Sequence, residues 1–446
     1  MQVSNRMPTS KTWSLAHISR FRTVLMGIAA LWIVWYHSDM RFDTIPPFYR
    51  LSTAAAAILH AVRSTGNAGV DIFLLLSGMG LYFSLEKSPG TLQFYKKRAL
   101  RVLPPVLIVS AIWAGIDCGG GFFNYFGHVF LLNYFTEGKS YFWYVNLLLI
   151  LYLIYPLLHR FLRKRGVWAA AALIAASLVL AASLYFLAPT IFWRFWFSVP
   201  RLPVFICGAY LGKLVYEKKE IPRRWLWGAA VFSALFWLLT LYLHFRHFDS
   251  RSIIVLQFYL YCPLSLSAVL LCSAFFARFS LSGVQNALAW FGGISLEIYL
   301  LYERVDMVCR QVFSADDRMH IVYYVPVFVT TILLSAALRT MVYDLFDTPI
   351  GDKLLQADSE TPPYIDVAGV LYGQDFARAS DVTKGEYELT VEQESKTCWL
   401  CKARVETIEL NDAYKDYRRV SGYADYVYRY ELVGNRWVFT DFELFY

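Results

Sequence analysis

Hydrophobic residues in this chain come in long unbroken runs parted by short polar stretches. From Val24 to Tyr36 every residue is apolar or Gly, with Arg20 and Arg22 ahead and Asp39, Arg41 and Asp43 behind. Such a run is about what a helix needs to cross a hydrocarbon core of about 30 Å. About ten spans of this kind follow one another, near 24–42, 68–86, 102–118, 141–159, 167–188, 199–216, 225–245, 253–276, 288–308 and 320–346, the ninth interrupted by Glu297, Glu303 and Asp306. After Gly351 the period changes. Tyr387, Leu389 and Val391, then Trp399, Cys401, Ala403 and Val405, then Tyr426, Tyr428, Tyr430 and Leu432, then Trp437 and Phe439 alternate with polar neighbours, as half-buried strands do. Gly434-Asn435 reads as a hairpin turn, and one helix is expected near Tyr364–Ala379. The expected fold is an all-α polytopic membrane bundle of about ten transmembrane helices, followed by a small soluble β-rich (α+β) C-terminal domain. The expected divisions are a segment over 1–19, a transmembrane domain over 20–350 and a soluble domain over 351–446.

Composition sharpens this picture. With 57% hydrophobic and 17% charged residues, the chain is too apolar for a soluble protein of its length. The polar, basic start of the chain lacks the short apolar core and small-residue cleavage site of a removable signal peptide. Lys and Arg favour cytoplasmic loops. Placing the N-terminus inside puts nineteen of them on inner segments against about eleven outside, and an even span count returns the C-terminus to the cytoplasm. Residues 351–446 carry a net charge of −7 and the preceding residues +15, so the tail reads as a separate module, able to dock beneath the basic inner loops or to recruit a cytoplasmic partner. No internal repeat suggests the paired halves of many transporters. Five of the seven cysteines lie in or beside apolar segments and read as packing residues. Cys398 and Cys401 form a CxxC that suits zinc or thiol chemistry, yet no second ligand pair accompanies it and a strand would send the two sulfurs to opposite faces. No metal and no nucleic-acid partner is expected.

Few ionisable groups lie at membrane depth, and those that do are functional candidates because burial there is costly. His37, near the end of the first run, is the first; an idle place at the interface is the competing reading. His17, His60, His247 and His320 read as loop or interface residues, His128 lies in a short aromatic segment, and His159 and His244 end spans. Asp71 opens the second span on the side to which His37 points, either to orient the imidazole or to cap its own helix. Arg98 and Arg101, with Lys96 and Lys97 just before, sit on neighbouring faces of one helical turn. Guanidinium groups so placed match phosphate oxygens, although positive-inside topology accounts for the same cluster and is the simpler reading on spacing alone. Glu297 and Glu303 should face the bundle interior, pairing with Arg304 and its neighbours or lining a substrate path.

Four stretches in order carry a resemblance: a first span ending Tyr36-His37; Gly69-Val-Asp71-Ile-Phe73-Leu-Leu-Leu-Ser77-Gly78; Phe94-Tyr-Lys-Lys-Arg98-Ala-Leu-Arg101-Val-Leu-Pro104; and Phe291-Gly-Gly-Ile-Ser295-Leu-Glu-Ile-Tyr299-Leu-Leu-Tyr302. With Trp143-Tyr144, Tyr152, Pro156, Arg201-Leu-Pro203, Gly208 and Gly212 they resemble the membrane-bound acyltransferase-3 family, bacterial enzymes that O-acylate cell-surface carbohydrates. The resemblance covers about Arg20 to Asp347. It implies acyl-CoA, with acetyl-CoA the expected donor, bound from the cytoplasm through Arg98, Arg101 and Lys97. It also implies a hydroxyl acceptor on a polysaccharide, glycolipid or precursor, His37 as the catalytic histidine, and a multi-pass place in the cell membrane with no metal. Asp71 is expected beside the imidazole. Imidazole titrates near neutrality and is suited to take the proton of an attacking hydroxyl. Two positions depart from the family. Its arginine eleven residues before the histidine, and an acidic residue three before that, are Met26 and Thr23 here, so that either Arg20 or Arg22 supplies the charge from the membrane edge or the chain uses a variant site. Its histidine after the ninth-span tyrosine is Tyr302. A proton-coupled transporter or flippase, with His37 and the acidic residues as a relay, is the rival reading.

Overall fold

The computed structural model describes residues 11–38, 53–87, 90–116, 121–137, 142–245, 251–279, 281–312, 321–347, 383–395, 398–410, 418–433 and 436–445. It separates into two units, Met1–Val342 and Tyr343–Tyr446.

The first unit is helical. A short strand β1 (Thr12–Ser14) and helix α1 (Ala16–Arg20) lead into α2 (Arg22–His37). The apolar run therefore stops at His37, where Ser38 turns extended and its hydroxyl donates to the Trp35 carbonyl. Next come α3 (Thr53–Ser64), α4 (Ala68–Lys87) and α5 (Thr91–Ile116). The last begins well before its apolar span, since Lys, Arg and Leu are good helix formers, so Arg98 and Arg101 lie inside the helix and not at its start. Two short helices, α6 (Gly121–Val129) and α7 (Asn133–Glu137), precede α8 (Trp143–Leu187). Gly166 interrupts α8 with φ 59°, a conformation cheap only for glycine, and thereby parts the expected fourth and fifth spans. After α9 (Pro189–Arg194), a single 3₁₀ turn over Val199–Arg201 enters α10 (Leu202–Tyr216).

Strand β2 (Glu220–Pro222) pairs antiparallel with β1. That pairing puts on one side of the bundle two segments that the charge count also assigns to one side. Then follow α11 (Arg224–Phe245) and α12 (Arg251–Arg278). The ninth span is broken into α13 (Ser282–Gly293) and α14 (Ser295–Cys309), with Ile294 non-helical between them, and α15 (Ile321–Asp347) closes the unit. Irregular backbone at membrane depth is tolerated where it lines a cavity, and this break does. Five of the described helices are long and apolar enough to cross a membrane by length and composition; α2 and α10, at 16 and 15 residues, are shorter.

Close backbone approach fixes the inner helices, as small residues allow in lipid. A Cβ on Gly27 of α2 would overlap the Leu288 carbonyl of α13, and one on Gly292 of α13 would overlap that of Thr23. Gly208 of α10 lies in the same way on Leu75 of α4. At its far end α14 is tied to α15, where the Tyr323 hydroxyl donates to Asp306 Oδ1 at 2.7 Å.

In the second unit four strands, β3 (Thr383–Ser395), β4 (Cys398–Leu410), β5 (Arg418–Val433) and β6 (Arg436–Phe445), form an antiparallel meander in chain order. Val433 pairs with Arg436, while Gly434-Asn435 and the helix expected near 364–379 fall outside the described residues. Cys398 and Cys401 share one strand at positions of opposite parity. Among the described residues no cluster of His, Cys, Asp or Glu could hold a metal ion.

Candidate active site

Three cavities follow one another through the helical unit and share their walls. The first, about 710 Å³ and partly open to solvent, is lined by Arg22 and Met26 of α2, Arg98 and Arg101 of α5, Glu297 of α14 and Arg339 of α15. The second, about 330 Å³, is mostly apolar, with Ala30, Ile33, Val34 and Ile298 in its wall and His37 and Glu303 at its polar end. The third and widest, about 1640 Å³, has His37 and Glu303 in its lining with Tyr36, Asn67, Trp143 and Phe197. Phe73 and Ser295 are common to the first two, His37 and Glu303 to the last two, and Tyr299 to all three. A continuous lining therefore connects four arginines to one histidine.

In the first cavity the basic residues come from three helices. Arg22 crosses to α4, where its Nε donates to the Leu76 carbonyl at 3.3 Å and Gly80 leaves room for its guanidinium. Arg22 stands one turn before Met26 on the same wall, whereas Arg20 is exposed and lies over Phe21. Of the two arginines that could supply the missing family charge, Arg22 is the one in the cavity. The Nε of Arg98 is buried with no hydrogen-bond partner among the described residues, although its guanidinium also leans on the Phe94 ring. Glu297, 1% exposed, faces Arg339 at 3.5 Å, and one carboxylate against four guanidinium groups leaves the cluster net positive. Lys97 is exposed and is not part of this lining.

At the junction of the second and third cavities, His37 Nδ1 lies 3.0 Å from Glu303 Oε1. An ionised carboxylate only accepts hydrogen bonds. It assigns the ring proton to Nδ1, as in other His–carboxylate pairs. Asp71, expected at this imidazole, lines none of the three cavities. Its Oδ2 is 3.1 Å from Arg201 Nε, with both side chains fully buried, because a desolvated carboxylate at the head of α4 needs a cation close by. Arg304, expected beside the acidic pair, lies over Trp113 and Phe142. Sequence reasoning put Glu303 in the interior without matching it to His37. It missed Arg339, whose only signal was a lone arginine in an apolar span.

The other described histidines line none of these cavities. His159 pairs with Glu86 at 3.0 Å beside Arg163. His17 packs on Trp13 outside the spans, where burial and the nearby Arg20 hold its imidazole below the usual value.

In this helical protein a half-buried histidine, held by a carboxylate, stands between a wide cavity and an apolar one that shares its walls with a basic cavity, a layout suited to moving a group between two substrates. Residues 23–340 match the acyltransferase-3 family model, described as an acyltransferase domain. The chain belongs to the acyltransferase-3 family and is a membrane acyltransferase. No curated protein and no solved structure matches it.

Proposed function

We propose that the protein is an O-acyltransferase that takes an acyl group, acetyl being the expected one, from acyl-CoA and places it on a hydroxyl of a cell-surface or exported carbohydrate. The observation that carries this reading is the His37–Glu303 pair at the shared wall of the apolar middle cavity and the wide one, the middle cavity in turn sharing Phe73, Ser295 and Tyr299 with the arginine-lined one. The pyrophosphate and 3′-phosphate of CoA suit the guanidinium groups of Arg22, Arg98 and Arg101, and the orphaned Nε of Arg98 is a donor that such an anion satisfies. The thioester arm then extends through the apolar middle cavity, so that its carbonyl meets His37 from one side and the acceptor hydroxyl from the other.

In the step itself, His37 Nε2 takes the proton of the attacking hydroxyl as its oxygen bonds to the thioester carbon. The tetrahedral intermediate expels the thiolate of CoA, which takes the proton back from the imidazolium. Glu303 holds the ring and opposes its positive charge while the proton is on it. In this reading about ten spans cross the membrane and both termini are cytoplasmic. The donor cavity then opens inward and the acceptor cavity outward, and residues 351–446 form a soluble β-rich domain that supplies no chemistry.

The test is chemical. Purified protein given labelled acetyl-CoA should pass label to carbohydrate and release some slowly to water. Neither product appearing, while the folded protein carries a solute across vesicles, favours transport instead.

A further inference from the structure

The wide cavity has a wall that the chemistry at His37 does not use. Trp143, Phe197 and Asn67 line it, and all three are held by one guanidinium behind them. Arg201 is fully buried. Its Nη1 donates to the Phe197 carbonyl at 2.6 Å, its Nη2 to Asn67 Oδ1 at 3.0 Å, and its Cζ stands 5.0 Å from the Trp143 ring centroid. On the other side Phe258 packs on it at 4.2 Å and Asp71 neutralises it. Arg has no acceptor atom. The Asn67 atom facing it is therefore the oxygen, and the NH₂ is left as a donor for the cavity that Asn67 lines.

We infer that this wall is the acceptor subsite and that it takes a sugar ring. The C–H face of a pyranose is weakly positive and fits the negative face of an indole. Its hydroxyls accept from the Asn67 amide, and the wall shares its cavity with His37, where one hydroxyl is deprotonated. Aromatic faces beside a few placed polar groups are what a small-ligand site needs for orientation. Trp143 and Asn67 touch the sugar. Arg201 and Asp71 are positioning residues that touch only the wall. The expense of burying their ion pair is explained by its product, an indole and an amide held in one geometry. The inference rests on the acyl-transfer reading for the sugar's fate, but not for its binding.

Two measurements separate the two ideas, with oligosaccharides released from bacterial envelope glycans by mild acid as the probe. In the first, labelled acetyl-CoA is supplied and label is partitioned between sugar and water. Trp143→Leu and Asn67→Ala should each shift the ratio about tenfold toward water, Trp143→Phe should recover most of it, and Asp71→Asn should shift it the same way while adding little on top of Trp143→Leu. A lesion that merely loosens the fold lowers both products together, and an unchanged ratio in the leucine and alanine variants overturns the subsite. In the second, saturation-transfer NMR reads sugar binding without any turnover. Signals seen in the parent and lost in Trp143→Leu support the subsite even if acetyl-CoA proves not to be a donor. Signals retained in that variant, or absent from the folded parent, overturn it.

Discussion

Replacing Glu303 by Gln keeps shape and removes charge, and so isolates what the carboxylate does for His37. Two unit charges 4 Å apart interact by about 1 kcal/mol in bulk water and about 4 kcal/mol at an effective dielectric of 20. Here the side chains are 36% and 38% exposed, which screens the pair and places its contribution near the lower end, about 1–2 kcal/mol. A general base gains its charge as it takes the proton, so this stabilisation belongs to the transition state, and its loss should lower kcat by about 5–30-fold. The KM for acetyl-CoA should hold, because Arg22, Arg98 and Arg101, the groups proposed to take its phosphates, line another cavity. Initial rates with labelled acetyl-CoA, at saturating acceptor, measure both quantities. Groups acting as one unit are non-additive, so Glu303→Gln should cost little more in a His37→Gln background. An unchanged kcat, or the same loss with and without His37, refutes the pairing as the source of the effect.

Three further outcomes are expected. Arg22→Gln, and Arg98→Gln with Arg101→Gln, should each weaken CoA binding about tenfold or more by calorimetry, since charged hydrogen bonds contribute about 1.5–3 kcal/mol, whereas Arg20→Gln should leave it unchanged. A chain ending after Lys353 should retain acyl transfer in detergent; complete loss with CoA still bound would put part of the site in the tail. Gly27→Leu should lower the melting temperature in detergent, because the added side chain must displace the Leu288 carbonyl of α13 at a cost of about 1–3 kcal/mol or more.

What could be read from the sequence followed from local patterns. The apolar runs located the helices, the two-residue period coincides with the four strands, and His37 stood out as the imidazole closing the first run. The partners of those groups were not legible, because they depend on how distant segments pack. Asp71 opens its span on the side of His37, yet Arg201, 130 residues away, claims it from the head of α10. Glu303 reaches His37 because α14 restarts after the break at Ile294 and is tied to α15 through Asp306 and Tyr323. The choice between Arg20 and Arg22 turned on Gly80, a residue whose absent side chain carries no signal of its own. Hydropathy also started the third span too late, since it discounts the charged turns that α5 accommodates.

The central claim is that His37 is the base at the meeting point of donor and acceptor cavities, and His37→Ala tests it most directly when transfer and CoA affinity are measured on the same purified protein. Transfer of labelled acetyl to carbohydrate should fall by about 10²–10⁴-fold while the calorimetric affinity for CoA stays at the parent value. Turnover close to that of the parent, in a protein that still binds CoA, contradicts the account.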